Sequence, residues 1–150
     1  MRVLTASLLL SASLMTACSA PAGDGTVLSY ENAFVQEPIA GRDVTMGGID
    51  ITATGGDVVL VSVASDSADS VETHTMEMTD GKMVMRPVER MEIKSGETLS
   101  LKRGGNHLML FGTDAGLAVG DKVDLHFKFE KADGKPLTLD VDADVRPVGE

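Results

Sequence analysis

The sequence predicts an all-β fold, an antiparallel Greek-key β-sandwich, and three observations carry that expectation. Two long segments near the C-terminus alternate apolar and polar residues with period two. Paired turn residues recur at short intervals. No stretch combines a helix start signal with a sustained 3.6-residue apolar period. In the first long segment Val123, Leu125, Phe127 and Phe129 alternate with Lys122, Asp124, His126, Lys128 and Glu130. In the second, Leu137, Leu139, Val141, Ala143 and Val145 alternate with Thr138, Asp140, Asp142 and Asp144. Such alternation buries one face of a strand and leaves the other in water. Further strands are expected at 27–35, 49–54, 57–64, 71–78, 82–93, 98–103 and 107–112. The turns between them are signalled by Gly55-Gly56, Asp80-Gly81, Ser95-Gly96, Gly104-Gly105, Gly120-Asp121 and Asp133-Gly134.

Composition narrows the function. The chain has 150 residues, 43% of them hydrophobic, which suits one domain and a leader. A formal net charge of −10 makes it a poor counterion for phosphate, which argues against nucleic acid as a partner. Four Phe, one Tyr and no Trp leave few surfaces for stacking bases or sugars, so the core is built from Val, Leu, Ile and Met. The one Cys excludes an intramolecular disulfide, a cysteine zinc cluster and an iron–sulfur centre. The sequence has no Gly-x-Ser-x-Gly elbow and no nucleophile tied by spacing to a histidine, so no catalytic residues are assigned and the chain is not expected to be an enzyme.

Residues 1–17 read as a signal peptide. Arg2 supplies the positive start, and residues 3–15 carry no charge but are too few to span a bilayer with ease. Met15-Thr16-Ala17-Cys18 resembles a bacterial lipobox, with Met15 where Leu is usual. On that reading Cys18 is lipidated and becomes the first mature residue. Ordinary cleavage after Ala20-Pro21-Ala22 is the alternative and would discard Cys18. The favoured plan is a lipoprotein-type signal peptide at 1–17, a flexible tether at 18–26 and a β-sandwich domain at 27–150. It implies an exported, periplasmic protein held to the membrane through Cys18, and Ser19 favours the outer membrane.

The methionines are the informative feature, nine of them in 150 residues. In a strand, His74, Met76 and Met78 share a face. Asp80-Gly81 is a strong signal for a type I′ hairpin. A two-residue loop there sets Met78 opposite Met83 and Met76 opposite Met85, which leaves Met85 diagonal to His74 on the same face. Further on, His107 and Met109 are again two residues apart, after the permissive pair Gly104-Gly105. Two imidazoles with two thioethers form a soft, neutral donor set. Thioethers are poor ligands for Zn²⁺, Mg²⁺ or Ca²⁺ and suit Cu(I). A blue-copper site is excluded, because no thiolate is available to it.

The spacing His74-x10-Met85-x21-His107-x-Met109 resembles the copper motif of the periplasmic PCu(A)C copper chaperones. The flanks are similar too: Val71-Glu72-Thr73-His74, Asp80-Gly81, Met83-Val84-Met85, Arg86-Pro87-Val88, Gly104-Gly105-Asn106-His107-Leu108-Met109-Leu110, Gly120-Asp121-Lys122-Val123 and Phe127-Lys128-Phe129-Glu130. With 3 His and 9 Met, the four-residue spacing arises in a shuffled chain roughly 2 times in 10,000. The resemblance covers about residues 58–131. It implies a cupredoxin-like β-sandwich that holds Cu(I) near its surface, with His74, Met85, His107 and Met109 as ligands. It also implies a partner: the CuA-bearing subunit of cytochrome c oxidase, or a thiol copper chaperone. Phe34 stands where the family commonly has Trp, and Gly47-Gly48-Ile49 where it has an aromatic residue.

The other methionines and histidine have plainer readings. Met76, Met78 and Met83 lie outside the motif and are expected to pack or shield, with an auxiliary copper role as the alternative. Met46 and Met91 read as core or surface residues. His126 reads as a solvated side chain on an alternating strand, and Asp140, Asp142 and Asp144 as a solvated face. The functional reading is a Cu(I) chaperone. Its alternatives are a periplasmic copper-buffering or resistance protein, and a structural lipoprotein without metal.

Overall fold

The computed structural model describes residues 25–149. Cys18, the leader at 1–17 and most of the tether at 18–26 lie outside the described residues. Ten strands make up the fold: β1 (Val27–Gln36), β2 (Val44–Thr54), β3 (Val58–Ala64), β4 (Ser70–Thr79), β5 (Lys82–Pro87), β6 (Met91–Ile93), β7 (Thr98–Leu101), β8 (His107–Phe111), β9 (Lys122–Lys131) and β10 (Pro136–Arg146). They lie side by side in the order β5-β4-β8-β2-β1-β10-β9-β3-β6, with β7 on β2. A bridge between Val63 and Val71 joins β3 to β4 and closes the path on itself. Neighbours so far apart in sequence, such as β4 with β8 and β3 with β9, are the crossovers that a Greek-key sandwich requires. The pairings are antiparallel except one: β1 runs parallel to β10, with Phe34, Val35 and Gln36 beside Asp144, Val145 and Arg146. Parallel neighbours need a long crossover, and here nearly the whole domain supplies it.

The alternating segments bury what their pattern says. Val123, Leu125, Phe127 and Phe129 of β9 and Val141, Ala143 and Val145 of β10 all face the core. Ile49, Ile51, Ala53, Leu108 and Leu110 face them from β2 and β8, and Met91 joins the same cluster. Asp140, Asp142 and Asp144 are exposed, as a solvated face should be.

Two segments differ from the sequence expectation. The strand expected at 82–93 is broken. Pro87 ends β5, having no N–H for a ladder, and the chain leaves β4 to pair β6 with β3 instead. Val88 marks the switch, since its N–H donates to the Thr73 carbonyl and its own carbonyl accepts from the Thr73 hydroxyl. The strand expected at 49–54 begins earlier, at Val44. Gly47-Gly48, outside the expected strand, sits inside β2. A Cβ on Gly48 would lie 2.4 Å from the Leu101 carbonyl oxygen and 2.6 Å from the Phe34 ring. The glycine serves close packing rather than a bend.

Phe34 is on that outer face because of a bulge. Between Glu31 and Phe34 the β1–β2 register shifts, at Asn32, whose φ is 54°. The shift turns Ala33 and Val35 into the core and sends Phe34 outward over Gly48. The Arg146 guanidinium caps the ring at 5.3 Å.

On the β9–β10 side His126 is more than a free solvated group. Its Nδ1 lies 2.8 Å from Asp140 Oδ1 and its Nε2 3.1 Å from Asp124 Oδ2, with Asp66 close by. The hydrogen bond to Asp140, then the charges of Asp140, Asp124 and Asp66, raise its pKa above the ordinary value against a smaller desolvation effect.

Two outcomes are expected. Gly48→Ala lowers unfolding stability by about 1–3 kcal/mol in urea titration, because a backbone carbonyl and a ring must both move; unchanged stability would show that Phe34 and β7 yield freely. A pKa raised on folding gives stability that is full below the unfolded value, about 6.5, and is lost as pH rises through the higher folded value. The thermal midpoint should therefore fall, relative to His126→Asn, between about pH 6 and pH 8; parallel profiles would mean the ion pairs are not formed in solution.

Candidate metal centre

β4 and β8 pair so that Glu72 faces Met109, Thr73 faces Leu108 and His74 faces His107. Leu108 and Leu110 point into the core, so His107 and Met109 point out. The same logic puts Glu72, His74, Met76 and Met78 on the outer face of β4. Both imidazoles are nevertheless buried, His74 to 7% exposure and His107 to 5%. Their ring centroids are 6.0 Å apart and tilted by 46°. The Phe111 ring closes over His74 at 6.4 Å.

The hairpin supplies the first sulfur. Asp80 and Gly81 have φ of 51° and 78°, the left-handed pair a type I′ turn demands. The ladder sets Met78 beside Met83, Met76 beside Met85 and His74 beside Pro87. From β5 the Met85 thioether reaches over β4, and its Sδ lies 3.2 Å from His107 Nε2.

The proton positions follow from the partners. His107 Nδ1 lies 2.9 Å from the Gly105 carbonyl, which only accepts, so Nδ1–H donates to it. In the neutral ring Nε2 is then bare and faces the sulfur, another lone-pair donor. Two donors facing each other without a proton between them are what a soft cation satisfies. The loop that places Gly105 is tight: Gly104 has φ 84° and the Lys102 carbonyl accepts from the Gly105 N–H. His74 Nε2 lies 2.8 Å from Glu72 Oε2, while its Nδ1 is buried with no hydrogen-bond partner. An unpaired buried nitrogen costs free energy unless something occupies it.

The structure therefore brings His74, His107 and Met85 together. Met109 lies on the same face, two residues along β8, between Glu72 on β4 and Met46 on β2. It lines a cleft of about 200 Å³ with Met46 and Arg103, rather than the cleft that holds His107. Met76 stands nearer, lining the His107 cleft of about 270 Å³ with Met46, Arg103 and Gly104. Met78 and Met83 sit at the hairpin tip, 66% and 51% exposed, farther along β4 and β5 from the histidines. Cys18 lies outside the described residues.

Sequence reasoning missed Glu72 and Met46. Glu72 precedes His74 by two and so shares its face, a signal already present in the strand period. Met46 is placed by the β2–β8 register alone, which no local pattern gives. The donor set read from the sequence is neutral, whereas Glu72 adds a half-exposed carboxylate beside it.

Residues 28–142 match the family described as "Putative lipoprotein LpqE-like". The chain belongs to the LpqE-like family. A curated relative, "Putative lipoprotein Lxx21020" of Leifsonia xyli subsp. xyli, is 31% identical over 104 residues, which cover 68% of this chain and 63% of the relative. This LpqE-like chain thus spans somewhat less than two thirds of that relative's length. Among solved structures, the copper-bound PCuAC domain from PmoF2 is similar with a TM-score of 0.62 at 16% identity, covering 80% of this chain and 92% of that one. The copper(I) form of DR1885 from Deinococcus radiodurans is similar with a TM-score of 0.55 at 28% identity, covering 79% and 78%. The LpqE-like chain therefore has the cupredoxin-like β fold of PCuAC domains, as the sequence resemblance implies.

The hairpin gives a direct prediction. Gly81→Val puts a β-branched residue at φ 78° and should cost about 1–2 kcal/mol in unfolding, with loss of the Met76–Met85 cross-strand contacts in nuclear Overhauser spectra. Unchanged contacts would mean that the turn does not set the register.

Proposed function

We propose that the protein is an exported Cu(I) carrier, with His74, Met85, His107 and Met109 as its ligands. The observation that carries this reading is the bare His107 Nε2 facing Met85 Sδ at 3.2 Å, beside a buried His74 with an unpartnered nitrogen. Imidazole and thioether donors suit a soft monovalent cation and serve hard divalent ions poorly. The similar solved structures point the same way, one a copper-bound domain and one a copper(I) form.

The layout suits transfer. The imidazoles are buried and fixed, whereas Met85 is 45% exposed on a short strand. Thioether is the weaker, more flexible donor. Copper is released by ligand exchange: an incoming donor binds the ion, Met85 leaves, and the imidazoles follow. No electron moves and no bond within the chain is broken. The ion is cargo, and the chain's part is to hold and hand on rather than to catalyse. The acceptor proposed is the CuA subunit of cytochrome c oxidase or a thiol copper chaperone, on the strength of the PCu(A)C resemblance. Lipidation at Cys18 is proposed as the anchor, supported by the lipoprotein names of the family and the relative. Ser19 favours an outer-membrane location.

An anaerobic Cu(I) competition titration tests the reading. The protein should bind one equivalent, and the variant with His74, Met85, His107 and Met109 all changed to Ala should lose it. Single substitutions should rank with burial, His107→Ala costing more affinity than Met85→Ala. Equal binding by the fourfold variant would favour a structural lipoprotein. For delivery, a deletion strain should lose oxidase activity at low copper and regain it with added copper; a defect confined to toxic copper would favour buffering.

A further inference from the structure

We propose that Glu72 is a positioning residue that fixes which nitrogen of His74 meets the copper ion. This rests on the copper reading above and deepens it. Glu72 and His74 are two apart on β4, so both side chains rise from the outer face. Glu72 Oε2 lies 2.8 Å from His74 Nε2. A carboxylate only accepts, so the proton sits on Nε2 and the lone pair on Nδ1. That Nδ1 is buried and has no partner among the described residues. Histidine ligands commonly donate their second ring N–H to a carboxylate, which sets the tautomer, orients the ring and makes the ligating nitrogen more basic. Glu72 fills that place for His74, as the Gly105 carbonyl does for His107.

The two rings are therefore used in opposite senses. His107 donates through Nδ1 and offers Nε2; His74 donates through Nε2 and offers Nδ1. The register makes this possible, because His74 and His107 are directly opposed, with ring centroids 6.0 Å apart and ring planes at 46°. The carboxylate also supplies a negative charge beside a donor set that has none. Nothing in the four-residue motif specifies it.

Cu(I) is diamagnetic, so long-range 1H–15N correlation spectra of histidine-labelled protein read the tautomers directly, without and with one equivalent of Cu(I). The expected result is a proton on His74 Nε2 in both states, with His74 Nδ1 and His107 Nε2 shifting on loading. In Glu72→Val, His74 should lose its single tautomer and Cu(I) affinity should fall about 10–100-fold. Glu72→Gln keeps an acceptor oxygen and should hold the tautomer with a smaller loss; circular dichroism checks that both variants fold. A loaded protein with His74 protonated on Nδ1 and coordinated through Nε2 overturns the proposal, as does unchanged affinity in folded Glu72→Val. No Cu(I) binding by the unsubstituted protein would instead overturn the copper reading itself.

Discussion

The site depends on one cross-strand pair. His74 and His107 stand directly opposite each other between β4 and β8, two strands far apart in sequence. Their alignment is held from the other side of the sheet, where Leu108 and Leu110 are fully buried and Val71 packs on the same core. A slip of one residue would turn the leucines to water and the imidazoles inward, so the hydrophobic core itself enforces the register that opposes the two imidazoles. Everything else at the site is referred to that pair: the hairpin carries Met85 to it, the Gly104-Gly105 loop orients His107, and Glu72 holds His74.

Sequence, packing and chemistry meet in the division between rigid and mobile donors. The imidazoles are buried, His74 beside the Phe111 ring, with one ring nitrogen apiece already committed. Met85 approaches from an edge strand whose side chains are largely exposed, whereas Met109 stands on β8 between β4 and β2. On the proposed copper reading, a fixed pair of nitrogens gives a defined seat for the ion, while a flexible thioether gives an incoming donor a place to begin exchange. The surface around this seat carries further sulfur from Met46 and Met76. Asp140, Asp142 and Asp144 line the solvent side of β10.

Much of this is legible in the chain alone, for identifiable reasons. The alternation of β9 and β10 reports burial residue by residue. Asp80-Gly81 specifies its turn through left-handed backbone angles, and a two-residue turn leaves a single register, so the Met76–Met85 pair follows from local chemistry. What was not legible is what tertiary contact decides. The packing of Phe34 over Gly48 inside β2, and the bulge at Asn32 that turns Phe34 outward, have no signal in the local pattern. The break after Pro87 is a change of partner strand, which local pattern does not encode. The parallel β1–β10 pair and the place of Met46 likewise come from strand order. Glu72 is the exception: its shared face with His74 follows from the strand period, and only its bond to the ring needed the structure.

The most direct test of the mixed nitrogen–sulfur seat is copper K-edge X-ray absorption on the Cu(I)-loaded protein. A site built on the His74–His107 pair with the nearby thioethers gives both imidazole nitrogen and sulfur scattering around one copper. The sulfur contribution should shrink in Met85→Leu while the imidazole signal persists. A first shell of light atoms only, or one unchanged by Met85→Leu and by His107→Ala, would contradict it.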